Sequence, residues 1–196
     1  RTIQKIARFL EGEKGERYIK IFSSRWDIHN LKTILRGKRI YVPSMQIQEN
    51  LVPAGEFDES LLTELLKQPD IKGVIDLLAT WDVPYASPLT AAFPEYSRVS
   101  DLIILENALD QFYYEQARSL VSGKSEDERI IRDLIATEID LINLKSVLMI
   151  VRDNIDTEDA DQILIEGGRV FDRKKLRVML DLGSVPSVVE FLEETP

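Results

Sequence analysis

A short string occurs twice in the chain, and that duplication limits the fold more than any other feature. Asp27-Ile28-His29-Asn30-Leu31-Lys32 is followed by Ile34 and Leu35; Asp140-Leu141-Ile142-Asn143-Leu144-Lys145 is followed by Val147 and Leu148. Asp, Asn, Leu and Lys keep identical spacing, and the shift from Asp27 to Asp140 is 113 residues. The same shift carries Leu51 onto Leu164 and Gly55 onto Gly168. One residue more carries Phe57-Asp58 onto Phe171-Asp172, Leu62 onto Leu176 and Val74 onto Val188. A repeat of that length is a duplicated domain, longer than the units of the common solenoids. The expected division is the end of a preceding helical domain over 1–14, a complete helical repeat domain over 15–122, and the first part of the next homologous domain over 123–196. Because the chain opens on Arg1 and reaches Pro196 partway through the second copy, it reads as a piece of a longer polypeptide.

The pattern around these anchors is helical. Residues 1–10 resemble the end of a helix, with Ile3, Ile6, Phe9 and Leu10 on one side, and 11–15 form a glycine-punctuated turn. A long helix is expected from about Glu16 to Arg36, stopping at Gly37. Phe57 and Leu62 bracket Asp58 as a hydrophobic staple around a helix cap, a device repeated by Phe171, Asp172 and Leu176. Asp70 caps a further helix. Pro84, Pro88 and Pro94 mark 82–97 as a loop, with an amphipathic helix over 98–120 behind it. Ser125-Glu126-Asp127-Glu128 has the spacing of a capping box and opens a helix to about Asp153. Asp156 or Thr157 caps a short helix through Leu164, and Gly167-Gly168 breaks it. With no strand pattern anywhere, the fold class is all-α.

Composition removes several functions. Twenty-five basic residues against 34 acidic ones leave a net charge of −9, which argues against a nucleic-acid partner, since phosphate binding needs a basic surface. There is no cysteine, so thiol catalysis and Cys-ligated zinc are excluded, and His29 is the single histidine. No apolar run approaches the roughly 18–20 residues of a membrane span.

The pair Asp140/Asn143, echoed by Asp27/Asn30, is the most specific candidate site. At a spacing of three both side chains share one helical face, and among apolar neighbours they require hydrogen-bond partners. Two readings fit. One is a carboxylate site for a metal or for acid–base chemistry, which needs further converging ligands. The other, which the pattern favours, is a polar clamp that fixes a long helix against its neighbours. His29 becomes Ile142 in the second copy, as expected of a residue without a shared ligand role. Glu126-Asp127-Glu128-Arg129 reads as a solvated first turn. Gly167-Gly168-Arg169 lacks the strand before it and the helix opening at the glycines that a phosphate loop requires. Of Phe112, Tyr113 and Tyr114, two are expected in the core and one free for a partner. No catalytic residue, cofactor or metal ligand is assigned. The motif positions are Asp27, Asn30, Lys32, Gly55, Asp140, Asn143, Lys145 and Gly168.

The string Arg25 to Lys38, with Leu51-Val52-Pro53-Ala54-Gly55 behind it, resembles the signature helix and proline-glycine turn of the C subunit of archaeal and bacterial A/V-type rotary ATPases, whose eukaryotic counterpart is the V-ATPase d subunit. Glu138 to Lys145, followed by Gly167-Gly168, resembles the same motif in the next domain. The resemblance implies tandem homologous helical domains around a pseudo-threefold axis, here truncated. It further implies a non-catalytic rotor part with no cofactor, peripheral on the cytoplasmic face of the membrane. Its partners would be the central shaft subunits and the proteolipid ring, in ATP-linked proton or sodium transport. From other classes, a helical scaffold with duplicated domains and an unrelated partner, and a small hydrolase using Asp140 and Glu138, are the competing readings.

Overall fold

A computed structural model describes residues 13–121, 123–155 and 163–194, all of it helices and connecting turns, with no strand among the described residues. The helices are α1 (Glu13–Arg39), α2 (Ser44–Gln48), α3 (Glu59–Lys67), α4 (Ile71–Thr80), α5 (Ala86–Val99), α6 (Ile103–Leu120), α7 (Glu126–Asp153), α8 (Arg173–Asp181) and α9 (Val185–Glu193). The chain divides into two compact units, 1–120 and 121–196. The helix end expected over 1–10 and the cap expected at Asp156 or Thr157 lie outside the described residues.

In the first unit, α6 packs along α1 and α5 against α6, with α3 and α4 closing the other side. The core holds Leu31, Ile34, Leu35, Leu65, Val74, Leu78, Leu89, Leu105 and Leu109, all fully buried. In the second, Val147, Ile150 and Val151 of α7 pack with Leu164, Leu176, Met179, Leu180 and Val188. The two cores use the repeat's own positions: Ile34 and Val147, Leu65 and Met179, and Val74 and Val188 are pairwise equivalent and buried.

The capping expectations are met locally. Asp58 accepts from Leu61 N (2.9 Å) and Asp172 from Lys175 N (2.8 Å). Asp70 accepts from Gly73 N (2.8 Å), and Ser184, its equivalent, from Ser187 N (3.2 Å). Ser125 caps α7, which runs over Glu126–Asp153.

Other expectations are corrected. α1 already contains Gly15 and does not stop at Gly37. A Cβ on Gly37 would overlap the Ile47 side chain, so this glycine admits a close contact inside the helix. The helix ends later, at a left-handed Tyr41 (φ 58°), with Val42 N donating to Gly37 O (2.9 Å). α7 ends identically, with left-handed Asn154 (φ 51°) and Ile155 N donating to Ile150 O (3.1 Å). This is the six-to-one bond of a left-handed helix stop. The proline-rich stretch is not a loop: α5 occupies 86–99 and ends at left-handed Ser100, so the expected single helix over 98–120 begins at Ile103 instead. Pro88 falls in the first turn, where its missing amide costs nothing. Pro94 is tolerated within α5, which is held by burial of Tyr85, Ala86 and Leu89. Finally, Glu128 is buried rather than solvated. Its carboxylate lies over Gly123, where a Cβ would collide with it.

Candidate functional site

The repeated motif builds the same device twice. Asn30 and Asn143 are fully buried on their long helices. Each grips one residue 22 positions on through both of its polar atoms. Asn30 Nδ2 donates to Val52 O (2.8 Å) while Val52 N donates to Asn30 Oδ1 (2.8 Å). Asn143 Nδ2 donates to Ile165 O (2.7 Å) while Ile165 N donates to Asn143 Oδ1 (2.8 Å). An amide side chain thus substitutes for a strand partner, satisfying a backbone N–H and C=O that would otherwise be orphaned.

One turn earlier on each helix, the aspartate gathers three donors. Asp27 accepts from Glu56 N (2.8 Å), Phe57 N (3.0 Å) and the Tyr85 hydroxyl (3.1 Å). Asp140 accepts from Arg169 N (2.9 Å), Val170 N (2.8 Å) and Phe171 N (3.1 Å). The repeat's slip from 113 to 114 residues falls inside this loop. One residue separates Gly55 from Phe57 and two separate Gly168 from Phe171. The extra residue supplies a third amide, and in the first copy Tyr85 provides the third donor instead. Gly55 and Gly168 are required by space rather than by torsion. A Cβ on either would overlap the aspartate carboxylate it faces.

The electrostatics follow from burial. Removal from water pushes Asp27 up from the usual carboxylate range, while the amides of Glu56 and Phe57 and the Tyr85 hydroxyl pull it back. Burial, reinforced by the Asp27 carboxylate, holds the Tyr85 hydroxyl protonated far above its ordinary range, so it remains a donor.

Lys32 and Lys145 differ. Lys32 pairs with Asp110 on α6, and one turn on Arg36 pairs with Glu106 through two bonds (2.6 and 2.5 Å). Burial raises Asp110, with Lys32 opposing. Lys145 is exposed. The matched spacing of four, Lys32/Arg36 against Glu106/Asp110, was a signal in the sequence for two antiparallel helices. Tyr85 left no such signal.

The remaining candidates are accounted for by packing. His29 is exposed, with Nε2 3.3 Å from Asn50 O and its ring edge-on to Trp26. Tyr113 and Tyr114 are buried, and Phe112 stacks edge-on against Tyr85 at 5.8 Å, so none of the three stands free. Because the buried Asp140 carboxylate accepts from three backbone amides of the loop, the arrangement fastens helix to loop and does not present that carboxylate to a substrate. Among the described residues no group of three His, Cys, Asp or Glu could hold a metal ion, and no helix is long and apolar enough to cross a membrane.

These features define a class: an all-helical framework protein in which buried Asp/Asn clamps pin long helices to the loops that follow them. Residues 1–196 match the family described as ATP synthase (C/AC39) subunit, and the chain belongs to that family. It is 28% identical over 196 residues to the A-type ATP synthase C subunit of Methanobrevibacter smithii, covering 99% of this chain and 50% of the relative. The A-type ATP synthase C subunits of Halorubrum lacusprofundi (33% over 171 residues; 85% and 47% covered) and Haloferax volcanii (35% over 161 residues; 82% and 44% covered) are similar to it as well. The chain spans about half the length of these curated relatives.

Proposed function

We propose that the protein is a non-catalytic central-stalk subunit of an A/V-type rotary ATPase or ATP synthase, coupling the shaft to the membrane proteolipid ring in ATP-linked proton or sodium transport. It lies on the cytoplasmic face, peripheral to the membrane. Residues 15–122 form one complete repeat domain, 1–14 close a preceding one, and 123–196 open the next. The observation that carries this reading is the match of the whole chain to the ATP synthase (C/AC39) subunit family. The clamps support it physically. A part that transmits torque must resist bending. Here helices of 27 and 28 residues, about 40 Å long, are fastened near mid-length through buried bonds rather than exposed ion pairs.

The test is an assembled complex from which this subunit is omitted. The catalytic head should still hydrolyse ATP while ATP-driven ion uptake into vesicles is lost, and adding the full-length polypeptide should restore uptake. Ion uptake that persists without the subunit would refute the coupling role, and ATP hydrolysis by the purified subunit would refute its non-catalytic character.

A further inference from the structure

The two long helices carry the same stripe in unlike surroundings. On α1, Ile21, Ile28, Lys32 and Arg36 lie along the side on which α6 packs: Ile21 is 1% and Ile28 5% exposed, Lys32 is partly buried, and Arg36, itself exposed, reaches Glu106. The ion pairs Lys32–Asp110 and Arg36–Glu106 show that α6 runs antiparallel to α1. The equivalent stripe on α7 is Leu134, Leu141, Lys145 and Met149. There Leu134 is 44% and Leu141 62% exposed, Lys145 is exposed, and Met149 is 43% exposed. Large apolar side chains along one side, with Glu138 between Leu134 and Leu141 and Lys145 beyond them, at spacings that match a covered helix, form an interaction face.

We propose that this stripe seats a further helix built like α6 and antiparallel to α7. It places apolar side chains over Leu134 and Leu141 and an acidic side chain against Lys145. Opposite Met149 it carries an apolar residue, because the cation that Glu106 meets on α1 is absent there. The occupant belongs to the same polypeptide. Curated relatives run to about twice the length they share with this chain, and the template, α6 on α1, is intramolecular. Nothing in this pairing requires the coupling role proposed above.

Because the chain has no cysteine, single-cysteine labelling reads the face directly. Leu141→Cys and Ile28→Cys are compared in the 196-residue chain and in the polypeptide at the full length of its relatives. The thiol at position 141 should react with a maleimide freely in the shorter chain and at least about tenfold more slowly in the longer one, while the thiol at position 28 is slow in both. Acylation of Lys145 in the unaltered proteins, read by mass spectrometry, should fall in parallel and needs no substitution. In the longer polypeptide Lys145→Glu should restore labelling at position 141 and Lys145→Arg should not. Equal labelling of position 141 at both lengths overturns the proposal. So does protection in the 196-residue chain that grows with protein concentration alongside a sedimenting dimer, which would give the face to a second copy. Lys145→Glu without effect removes the acidic partner.

Discussion

Replacing Asn143 by Leu tests the clamp most directly. Leucine has the same number and branching of side-chain heavy atoms, so the perturbation is chiefly the loss of two hydrogen bonds and leaves no cavity. Both partners belong to Ile165, which is only 6% exposed, so water cannot replace them. Leaving a buried N–H and a buried C=O unpaired costs about 1–3 kcal/mol each, and the apolar side chain returns about 1 kcal/mol. The net loss is about 1–5 kcal/mol, a large share of a small domain's stability on the order of 5 kcal/mol. Asn30→Leu breaks the same bonds in the other copy, but its partner Val52 is only half-buried. Solvent recovers part of the loss there, and the cost should be about 1–2 kcal/mol. Both tryptophans, Trp26 and Trp81, lie within 1–120. In urea titrations, fluorescence therefore follows the first unit, and far-ultraviolet circular dichroism follows both. Asn30→Leu should shift the fluorescence midpoint, and Asn143→Leu should produce the larger shift, seen by circular dichroism. A cost below about 0.5 kcal/mol for Asn143→Leu, or a larger cost at Asn30, would refute the assignment of the stability to buried, water-excluded bonds.

Gly55→Ala and Gly168→Ala should each cost about 1–3 kcal/mol through overlap with the aspartate carboxylate; in an Asp27→Ala background the Gly55 penalty should shrink, and an additive double mutant would reject the contact. Tyr41→Asn, which installs the residue found at the equivalent Asn154, should stabilise by about 0.5–1 kcal/mol, because Tyr41 is left-handed yet 88% exposed and loses little packing. A lowered melting temperature would show that the tyrosine makes a stabilising contact. Burial raises Asp27 and Asp110 in the folded state, so the fold holds more protons than the unfolded chain above ~pH 4. Their contribution is therefore favourable below that point and is lost as pH rises through the folded values. Asp110→Asn should flatten the decline in stability above ~pH 4, and a steeper decline would contradict the sign.

Much of the framework was legible in the residues because its determinants are local or repeated. The caps at Asp58, Asp70, Ser125 and Asp172 bind amides three residues away, so they can be read from a window of one turn. The clamp residues stood out because the chain states them twice, and coincidence of Asp, Asn and Gly at one spacing is a geometric requirement made visible. The Lys32/Arg36 and Glu106/Asp110 ladder was equally present, as matched spacing on two helical faces. Tertiary structure decided the rest. Prolines at 88 and 94 signalled a loop, but burial of Tyr85, Ala86 and Leu89 outweighs a missing backbone bond. Gly37, Gly55 and Gly168 looked like places where a chain must stop or turn, whereas each makes room for a side chain from elsewhere. Glu128 looked solvated and is folded over Gly123. The Tyr85 hydroxyl reaches Asp27 across 58 residues of chain. A hydrogen bond or steric contact depends on separation in space, and only the folded backbone determines which distant residues come within about 3 Å of one another.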